Sequence, residues 1–392
     1  MELLGKLKEE LREFCAALGE PAYRGMQIYH ALHAERKFDF ERMTNLPAAL
    51  RKRLANEARI TLPEVKQKFV SADGSVRYLF DLESAGKNRE LNTEKSGRES
   101  ADRLQRLASV EAVFMPSEGR QTICISTQAG CAVDCHFCLT AQLGLIRNLT
   151  AGEIVGQVLV ALDDAAKNRA TGSEGKQASK NVGSAESTVQ TNVVLMGQGE
   201  PLLNFDAVMA ALRILLDTEG VGLSPKHVTL STSGIVPGIE RLAREKVRPK
   251  LAISLNASND EQRDALMPIN RKYPLSVLLE ACKKYPLRPW EHLTFEYVML
   301  GGVNDAPEDA RRVVKLLAPL KSVKVNLIPW NPGALPYQEP TAERIEEFRR
   351  ILNDKGVPTF VRYSRGRDVM AACGQLALLQ IGGSESSAVS PH

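Results

Sequence analysis

Apolar runs of strand length alternate with amphipathic stretches between residues 122 and 363. Most of the runs are followed by one segment whose apolar residues have helical spacing. Buried strands that alternate with amphipathic helices are typical of a parallel sheet covered by helices. Six strand–helix units are too few for a closed barrel of eight, so the pattern predicts an α/β fold with an open, partial (β/α)6 barrel. The predicted strands are TICIST from 122, VVLMG from 193, VTLST from 228, LAISL from 251, FEYVML from 295, VKVNLIPW from 323 and PTFVRY from 358.

The remainder of the chain does not follow this alternation. The first sixty residues have helical spacing broken by turn and start signals, and two strand-like runs flank an Ala-Asp-Gly turn near residue 73. Two polar segments without apolar periodicity are typical of insertions. The predicted divisions are a helical N-terminal domain at 1–60, a β-hairpin extension at 61–115 with an exposed insertion at 85–106, the barrel at 116–380 with a flexible insertion at 167–190, and a disordered tail at 381–392.

Composition narrows the class of protein. Hydrophobic residues make up 43% and charged residues 25% of the 392 residues, which is the balance of a soluble globular protein. The sequence has neither a membrane-length apolar run nor a signal peptide, so we expect a cytoplasmic protein without a membrane partner. The net charge of +4 permits a nucleic-acid partner without requiring one. Seven cysteines are too few for a disulfide scaffold, which leaves packing, metal ligation and catalysis as their roles.

Three of these cysteines stand close together in CAVDCHFC. Cys131, Cys135 and Cys138 have the spacing C-x3-C-x2-C and directly follow the first strand of the predicted barrel. Structural zinc sites bring four ligands as two close pairs, and no second pair follows here. Three thiolates on one loop can instead bind three irons of a 4Fe–4S cluster and leave the fourth iron open for chemistry. The spacing therefore favours a catalytic cluster over three unrelated buried thiols.

The triad resembles the signature of the radical S-adenosylmethionine (SAM) enzymes, C-x3-C-x-aromatic-C, with Phe137 at the aromatic position. The resemblance covers at least residues 124–363, and it implies the partial barrel predicted above. It also implies that the open iron chelates SAM. One electron, from a donor such as flavodoxin or ferredoxin, then splits SAM and releases a 5′-deoxyadenosyl radical.

Candidate SAM contacts lie at or near the ends of the predicted strands, where barrels of this type collect their active-site groups. In MGQGEP, Gly199 would let the backbone approach the methionyl end of SAM, and Glu200 could accept from its ammonium group. Ser231 of STSG, the segment SLN (Ser254, Leu255 and Asn256) and Asn326 of VNLIPWNP complete the candidate set. Each of these residues, taken alone, is as readily explained as a helix cap or a turn residue.

A narrower resemblance extends over nearly the whole chain. The segments SVEAVFMP, STQAGCAVDCHFC, MGQGEPLLN, STSGIVP and PINRKYP resemble the RlmN-type adenine C-2 methyltransferases. That family acts on 23S rRNA and on an adenine next to the anticodon of some tRNAs, and its helical N-terminal domain assists RNA recognition. The related Cfr type methylates C-8 of the same rRNA adenine, and Ala129 in QAGCA favours the C-2 type. A different class, an RNA-binding or redox-sensing iron–sulfur protein, also remains open, and we expect a monomer.

The same resemblance implies roles for two further cysteines and a glutamate. Cys373 would accept a methyl group from a first SAM, and the radical from a second SAM would activate that methyl for addition to the adenine. Cys124 would then attack the Cys373 sulfur, which forms a disulfide and frees the product. Glu111 would take the proton from the adenine carbon. Because an unpaired carboxylate is costly to bury in an apolar strand, we expect a raised pKa that suits this proton transfer.

Without their flanking motifs these residues have simpler explanations. Cys124 would be a buried strand cysteine, Cys373 a cysteine at a helix start, and Glu111 a strand residue facing solvent. Cys15 and Cys282 have no such context and are predicted to pack in the core.

Possible RNA contacts are the basic runs at 51–53 and 244–250, with Arg362, Arg365 and Arg367 shortly before Cys373. For the first two runs, ordinary solvated loops are an equally good explanation. One position departs from the family pattern: Asn256 stands in SLNAS where many members have histidine. Asparagine still donates and accepts hydrogen bonds but cannot carry a proton for catalysis.

Overall fold

A computed structural model describes residues 1–82, 109–170 and 189–376. Ten strands of this part form one continuous sheet, and two short strands form a separate pair. In spatial order the large sheet runs β1-β2-β3-β4-β7-β8-β9-β10-β11-β12. The strands are β1 (Glu64–Val70), β2 (Val76–Asp81), β3 (Ser109–Ser117), β4 (Arg120–Cys124), β5 (Gln128–Gly130), β6 (Leu145–Asn148), β7 (Gln190–Leu195), β8 (Val228–Thr232), β9 (Lys250–Ser254), β10 (Leu293–Met299), β11 (Val323–Pro329) and β12 (Thr359–Val361).

Seven neighbouring strands, β4 and β7 to β12, are parallel and coincide with the seven predicted strands. Within the described residues β1 and β12 do not pair, so the barrel is open, and the predicted fold class is confirmed. Helices cover one side of this sheet. The helices are α1 (Lys8–Ala17), α2 (Tyr23–His33), α3 (Ala48–Glu57), α4 (Ala151–Ala170), α5 (Phe205–Leu216), α6 (Val236–Ala243), α7 (Asp260–Leu266), α8 (Leu275–Lys284), α9 (Pro307–Leu317) and α10 (Ala342–Asp354).

Local sequence signals explain where several of these helices begin. The Asn259 side chain accepts from the Gln262 amide at 2.8 Å and caps α7, while Pro307 opens α9 at a position that needs no amide donor. In α9 the Asp309 carboxylate accepts from the Ala306 amide at 3.1 Å. Among the described helices, none is both long enough and apolar enough to cross a membrane.

The N-terminal helices dock directly onto the barrel. Gly5 and Gly152 bring their backbones so close that a Cβ on Gly5 would lie 2.2 Å from the Gly152 nitrogen. Lys8 and Tyr29 hydrogen-bond the Asp217 carboxylate at the end of α5, at 2.9 and 3.1 Å. One hydrophobic core therefore runs from α1–α3 into the barrel.

The predicted hairpin is part of the main sheet. Strands β1 and β2 pair around residues 71–75, and β2, β3 and β4 continue as antiparallel neighbours up to the first parallel strand. The predicted insertion at 85–106 and the tail at 381–392 lie outside the described residues. Of the insertion predicted at 167–190, residues 167–170 continue α4, residue 190 begins β7, and 171–188 lie outside the described part.

Alternation along the strands divides their side chains between two faces. In β10, Phe295 and Tyr297 enter the core beneath the helices, whereas Glu296 and Val298 line a cavity on the concave face. Directly paired residues of neighbouring strands point to the same side of the sheet. The strand register therefore shows which residues of β9 and β11 lie on the concave face beside Glu296. Glu296 pairs with Ser254 of β9 and with Asn326 of β11. The concave face therefore collects the polar side chains of the barrel.

Candidate active site

A cavity opens on the concave face near the carboxyl ends of the parallel strands. It encloses about 990 Å³ including the open solvent at its mouth. Glu296, Trp330 and Asn331 contribute to its wall and were not among the predicted site residues. The predicted residues that line it are Cys131, Cys135, Cys138, Gly199, Glu200, Ser231, Ser254, Asn256 and Cys373.

The cysteine triad is held by the small β5–β6 sheet. The Cys131 amide donates to the Gly144 carbonyl at 2.9 Å. Gly130, with φ of 72°, allows this approach, since a Cβ there would lie 1.8 Å from the Gly144 oxygen. Further along the loop, the His136 amide donates to the Leu266 carbonyl at 3.0 Å. The loop is thus fixed by backbone hydrogen bonds, and its three thiols stay partly exposed to the cavity.

The thiols of the triad influence one another. Burial, followed by repulsion from Cys138 and Cys131, raises the pKa of Cys135 well above its ordinary value. Burial also raises the pKa of Cys131 to about 12. Three neighbouring thiolates therefore need a cationic group between them to become stable.

The triad fits an iron–sulfur cluster better than a single ion. Within residues 1–82, 109–170 and 189–376, no three histidine, cysteine, aspartate or glutamate side chains are arranged to hold one metal ion. Zinc ligands, in contrast, meet at one ion. Three thiols that line one cavity would suit a larger group that contains several irons.

Glu200 is fixed by the strand ends around it. Its carboxylate accepts from the Ser233 amide and hydroxyl, both at 2.7 Å, and from the Leu202 amide at 3.0 Å. Burial raises the pKa of Glu200, while these hydrogen bonds oppose the rise. The Thr232 side chain also hydrogen-bonds this carboxylate, so the roughly four lone-pair sites of Glu200 are largely used within the protein. Gly199, with φ of 96°, brings this segment against Gln128, with no room for a Cβ.

The other predicted SAM contacts fall into two groups. The hydroxyls of Ser231 and Ser254 lie 3.5 Å apart on the cavity wall and are available to a ligand. Asn256 borders the cavity in a left-handed conformation, with φ of 56°, and its Oδ1 accepts from the Val298 amide at 2.8 Å. In this position Asn256 stabilises the strand ends, because its side-chain amide is already bonded within the protein. The Leu255 side chain lies in the core beneath the helices.

Asn326 contacts a carboxylate that the motifs did not indicate. Its Nδ2 donates to Glu296 at 2.9 Å, and its Oδ1 accepts from the Arg362 Nε at 3.4 Å. Burial raises the pKa of Glu296, against the hydrogen bond from Asn326 and the charge of Arg362. A signal was present in FEYVML: a charged residue alternating with large apolar ones marks a strand with one polar face.

Arg263 is a second residue that the motifs did not single out. Its guanidinium is fully buried and donates to the carbonyls of Ser233, Ser254 and Leu255 at 2.6, 3.0 and 3.1 Å. It also donates to Asn270 at 3.0 Å. One side chain therefore joins the ends of β8 and β9, which carry Ser231 and Ser254.

Cys373 lies beside the triad because its loop is bonded to the cysteine loop. The Leu139 amide donates to the Gly374 carbonyl at 2.8 Å, and the Thr140 hydroxyl donates to the Leu376 carbonyl at 2.6 Å. Asn331 donates to the Cys373 carbonyl at 3.3 Å. The residue keeps an exposed surface, but its thiol lies inside the cavity. Burial there, followed by the charge of Glu296, raises the pKa of Cys373 to about 11.

Cys124 lies on the concave face at the end of β4, opposite Val113. It packs against a small apolar cluster that includes Val369 and Ala371 from the loop leading to Cys373. Burial raises the pKa of Cys124 far above its ordinary value, and the Cys373 thiol adds to the rise. Cys124 and Cys373 are therefore neighbours across this cluster, and both are free thiols.

Glu111 does not face solvent and is not unpaired. It is fully buried on the same face of β3 as Val113, and its carboxylate forms an ion pair with Arg77 of β2, which is 1% exposed. The expectation of an unpaired carboxylate is wrong because the antiparallel pairing of β2 with β3 supplies a cation from 34 residues earlier. The Glu111 amide also donates to the Gln198 side chain of MGQGEP at 3.1 Å.

Two of the three arginines before Cys373 are used within the fold. Arg365 bonds Asp73 and the Pro116 carbonyl, and Arg367 pairs with Glu339 at 2.9 Å. Arg362 keeps an exposed side chain. Of the predicted packing cysteines, Cys15 is fully buried and Cys282 is 2% exposed, as expected.

Known proteins share this fold. The crystal structure of a radical SAM methyltransferase from Sphaerobacter thermophilus is similar, with a TM-score of 0.81 and 40% identity, over 96% of this chain and 99% of that chain. A family model described as the radical SAM superfamily matches residues 178–317. The open barrel, the triad after its first strand and these matches define a radical SAM enzyme, a class that uses SAM and an iron–sulfur cluster.

The relatives are more specific. A family model described as the ribosomal RNA large subunit methyltransferase N-terminal domain matches residues 1–60. The probable dual-specificity RNA methyltransferase RlmN of Koribacter versatilis is 48% identical, over 92% of this chain and 96% of its own. The dual-specificity RNA methyltransferase RlmN of Anaeromyxobacter dehalogenans is 44% identical, over 94% and 90%. The chain belongs to the RlmN family of SAM-dependent RNA methyltransferases, and the predicted enzyme class is confirmed.

Proposed function

We propose that this protein methylates C-2 of adenine in 23S rRNA, and of an adenine next to the anticodon in some tRNAs, through a methylated cysteine. Cys373 would carry the methyl group, and Cys124 would release the product. The observation that carries the proposal is the position of Cys373, which shares one cavity with the cysteine triad and is tied to the triad's loop. An RNA methyltransferase that used SAM directly would not need a free thiol there.

Each residue of the site has one task in this proposal. Cys131, Cys135 and Cys138 hold a 4Fe–4S cluster. The Ser231 and Ser254 hydroxyls orient SAM by hydrogen bonds, and Glu200, which also lines the cavity, bounds the place where its methionyl end lies. When bound, the cluster supplies the electron that splits SAM and so activates the methyl group on Cys373.

The remaining steps use the protein's own side chains. The activated carbon on Cys373 bonds to the adenine, and Glu111, which Arg77 holds in place, accepts the proton that leaves the ring carbon. The group that the triad would hold would take back the one surplus electron of this adduct. Cys124 then attacks the Cys373 sulfur and a Cys124–Cys373 disulfide forms, while the electron pair of the broken sulfur–carbon bond goes to the carbon, which takes a proton and becomes the new methyl group of the RNA. Because burial raises the pKa of Cys124, this thiol must lose its proton before it attacks.

The proposal has a stoichiometry and partners. One SAM methylates Cys373 and a second is split, so two SAM molecules are used per turnover. The protein would act as a monomer with a flavodoxin or ferredoxin as electron donor. Anaerobic turnover with labelled SAM should give one S-adenosylhomocysteine and one 5′-deoxyadenosine per methylated adenine. If adenine is methylated but no 5′-deoxyadenosine is formed, the radical step is wrong.

The decisive experiment is mass analysis of nucleosides from cells with and without the gene. We expect 2-methyladenosine in 23S rRNA and tRNA only when the protein is present, and its loss in the matched Cys373→Ala strain. Cys282→Ala is the control for loss of an unrelated buried thiol. Formation of 8-methyladenosine instead would assign the chain to the C-8 reaction. Unchanged nucleosides, together with a cluster that does not cleave SAM, would favour an RNA-binding or redox-sensing role.

A further inference from the structure

Three basic residues that are distant in sequence, Lys250, Lys324 and Arg362, lie on the concave face of the barrel. Lys250 begins β9, four residues before the cavity residue Ser254, and alternation places both on the same face. Lys324 lies two residues before Asn326 in β11. Arg362 follows β12 and reaches Asn326 through its Nε. The three cations therefore lie on β9, on β11 and directly after β12, within the last four strands at the β12 edge of the sheet.

These cations repel one another. Burial, followed by the charges of Lys324 and Arg362, lowers the pKa of Lys250, although Glu291 opposes the shift. Burial and then Arg362 lower the pKa of Lys324, against the charge of Glu296. In the described part of the chain none of the three cations forms an ion pair with a carboxylate within 4 Å. Two half-buried lysines and an exposed arginine without such a partner attract anions.

Exposed aromatic side chains stand beside the cations. Phe360 of the edge strand β12 is 49% exposed although it pairs with Asn326 on the concave face. Tyr363, immediately after Arg362, is 63% exposed. Both rings are therefore open enough to stack against a ligand. Cations interleaved with exposed rings are the usual surface for single-stranded nucleic acid, which binds by phosphate contacts and base stacking.

The three cations are connected to the cavity of Cys373 through Asn326 and Glu296. Asn326 and Glu296 lie between the cations and the cavity, and Glu296 is close enough to Cys373 to influence its thiol. A strand of RNA on the cations would thus enter the cavity from the open side of the barrel. The basic run at 244–250 contributes through Lys250, its last residue, whereas Arg244 and Lys246 are exposed in the preceding loop.

We propose that Lys250, Lys324, Phe360, Arg362 and Tyr363, named here the edge patch, bind the unpaired RNA segment that carries the target adenine. The cations contact phosphates, and Phe360 and Tyr363 stack on unpaired bases. This inference rests on the proposed function for the identity of the ligand. It goes further by assigning the path along which that RNA reaches Cys373. An adenine must leave its stack to react in a cavity, and an adjacent stacking surface stabilises its unstacked neighbours.

The test measures RNA affinity as a function of salt with the full-length, cluster-loaded protein and a substrate RNA hairpin. Each lost contact to a single-stranded phosphate lowers the slope of log K against log salt by about 0.7. Lys250→Gln with Lys324→Gln should therefore lower it by about 1.4. Phe360→Ala should weaken binding by roughly 5-fold or more with an unchanged slope, since stacking is not ionic. Arg244→Gln with Lys246→Gln is the matched control from the same basic run and should leave slope and affinity as in the parent protein.

Each outcome decides the proposal. If the Lys250 and Lys324 double variant keeps the parent slope, or if the control pair loses as much, the edge patch does not bind RNA phosphates. If Phe360→Ala and Tyr363→Ala both bind with parental affinity, the stacking surface is wrong. Far-UV circular dichroism and thermal unfolding establish that each variant is folded. A parent protein that binds RNA through the edge patch but yields no methyladenosine would refute the proposed function while supporting this inference.

Discussion

The buried pair of Arg77 and Glu111 makes a quantitative prediction. Arg77 is 1% exposed and Glu111 is fully buried, so replacing Arg77 by methionine removes a buried cation from beside the Glu111 carboxylate. Breaking a buried ion pair by removing one partner typically costs about 3–5 kcal/mol. We expect Arg77→Met to lower the free energy of unfolding by about that amount. Methionine keeps much of the length of the side chain, which limits the contribution of a cavity.

A double-mutant cycle isolates the pair. Glu111→Gln alone removes the carboxylate that pairs with the buried Arg77 guanidinium, and it should destabilise the protein in the same way. The double variant carries neither charge, so its loss should be smaller than the sum of the single losses by about 2 kcal/mol or more. Urea unfolding under anaerobic conditions, with the cluster loaded, gives the free energy of unfolding of the parent protein, the two single variants and the double variant. Arg213→Met is the matched control, because its ion pair with Glu245 lies at the surface and should change stability little.

The same variant has a catalytic readout. Arg77 holds the Glu111 carboxylate in place, and Glu111 takes the proton in the proposed reaction. Methylation by Arg77→Met should therefore be slower than in the parent protein, while the surface control Arg213→Met should keep the parent rate. Two results would refute this reasoning: single-variant losses that simply add, or a methylation rate of Arg77→Met equal to that of the parent protein.

Three further predictions follow from other contacts. Cys124→Ala should accumulate a covalent RNA–protein adduct on denaturing gels and Cys373→Ala should form none; release of methylated RNA by Cys124→Ala at the parent rate would contradict the resolving role. Asp73 accepts from the Gly366 amide at 3.0 Å. Burial opposes the shift, but hydrogen bonding holds the pKa of Asp73 below its ordinary value of 3.8. The stabilisation that Asp73 contributes is therefore complete above that pH and is lost as the pH falls towards the pKa of the folded protein. Asp73→Asn should therefore reduce the loss of stability on acidification below about pH 4 in unfolding experiments, and an unchanged acid limb would contradict this. Gly152→Ala should lower the thermal midpoint, since its Cβ would lie 2.5 Å from the Leu4 carbonyl oxygen, whereas the control Gly333→Ala meets only a side chain at 3.9 Å.

The barrel could be predicted from sequence because its strands are buried and its helices are amphipathic. Both properties are local, so the seven strands and the helices between them appear in the periodicity of the chain. The triad could be predicted for the same reason, since Cys131, Cys135 and Cys138 lie on one loop.

The remaining features depend on contacts between distant segments. The pairing of Arg77 with Glu111 follows from strand register, which a single sequence does not specify. The capture of Arg365 by Asp73 spans 292 residues, so an arginine that looked available for RNA is already bonded. Leu255 shares its motif with Ser254 and Asn256, yet alternation turns its side chain into the core.

The hydrogen bonds from Leu139 to Gly374 and from Thr140 to Leu376 join the loop of the cysteine triad directly to the loop of Cys373. In the proposed reaction these two bonds set the distance between the reacting groups, and misplacing reacting groups by about 1 Å can cost a hundredfold in rate. The helical domain and the β12 edge of the sheet take no part in these two bonds. Those regions can therefore change to accommodate a different RNA while the spacing of the reacting groups stays the same.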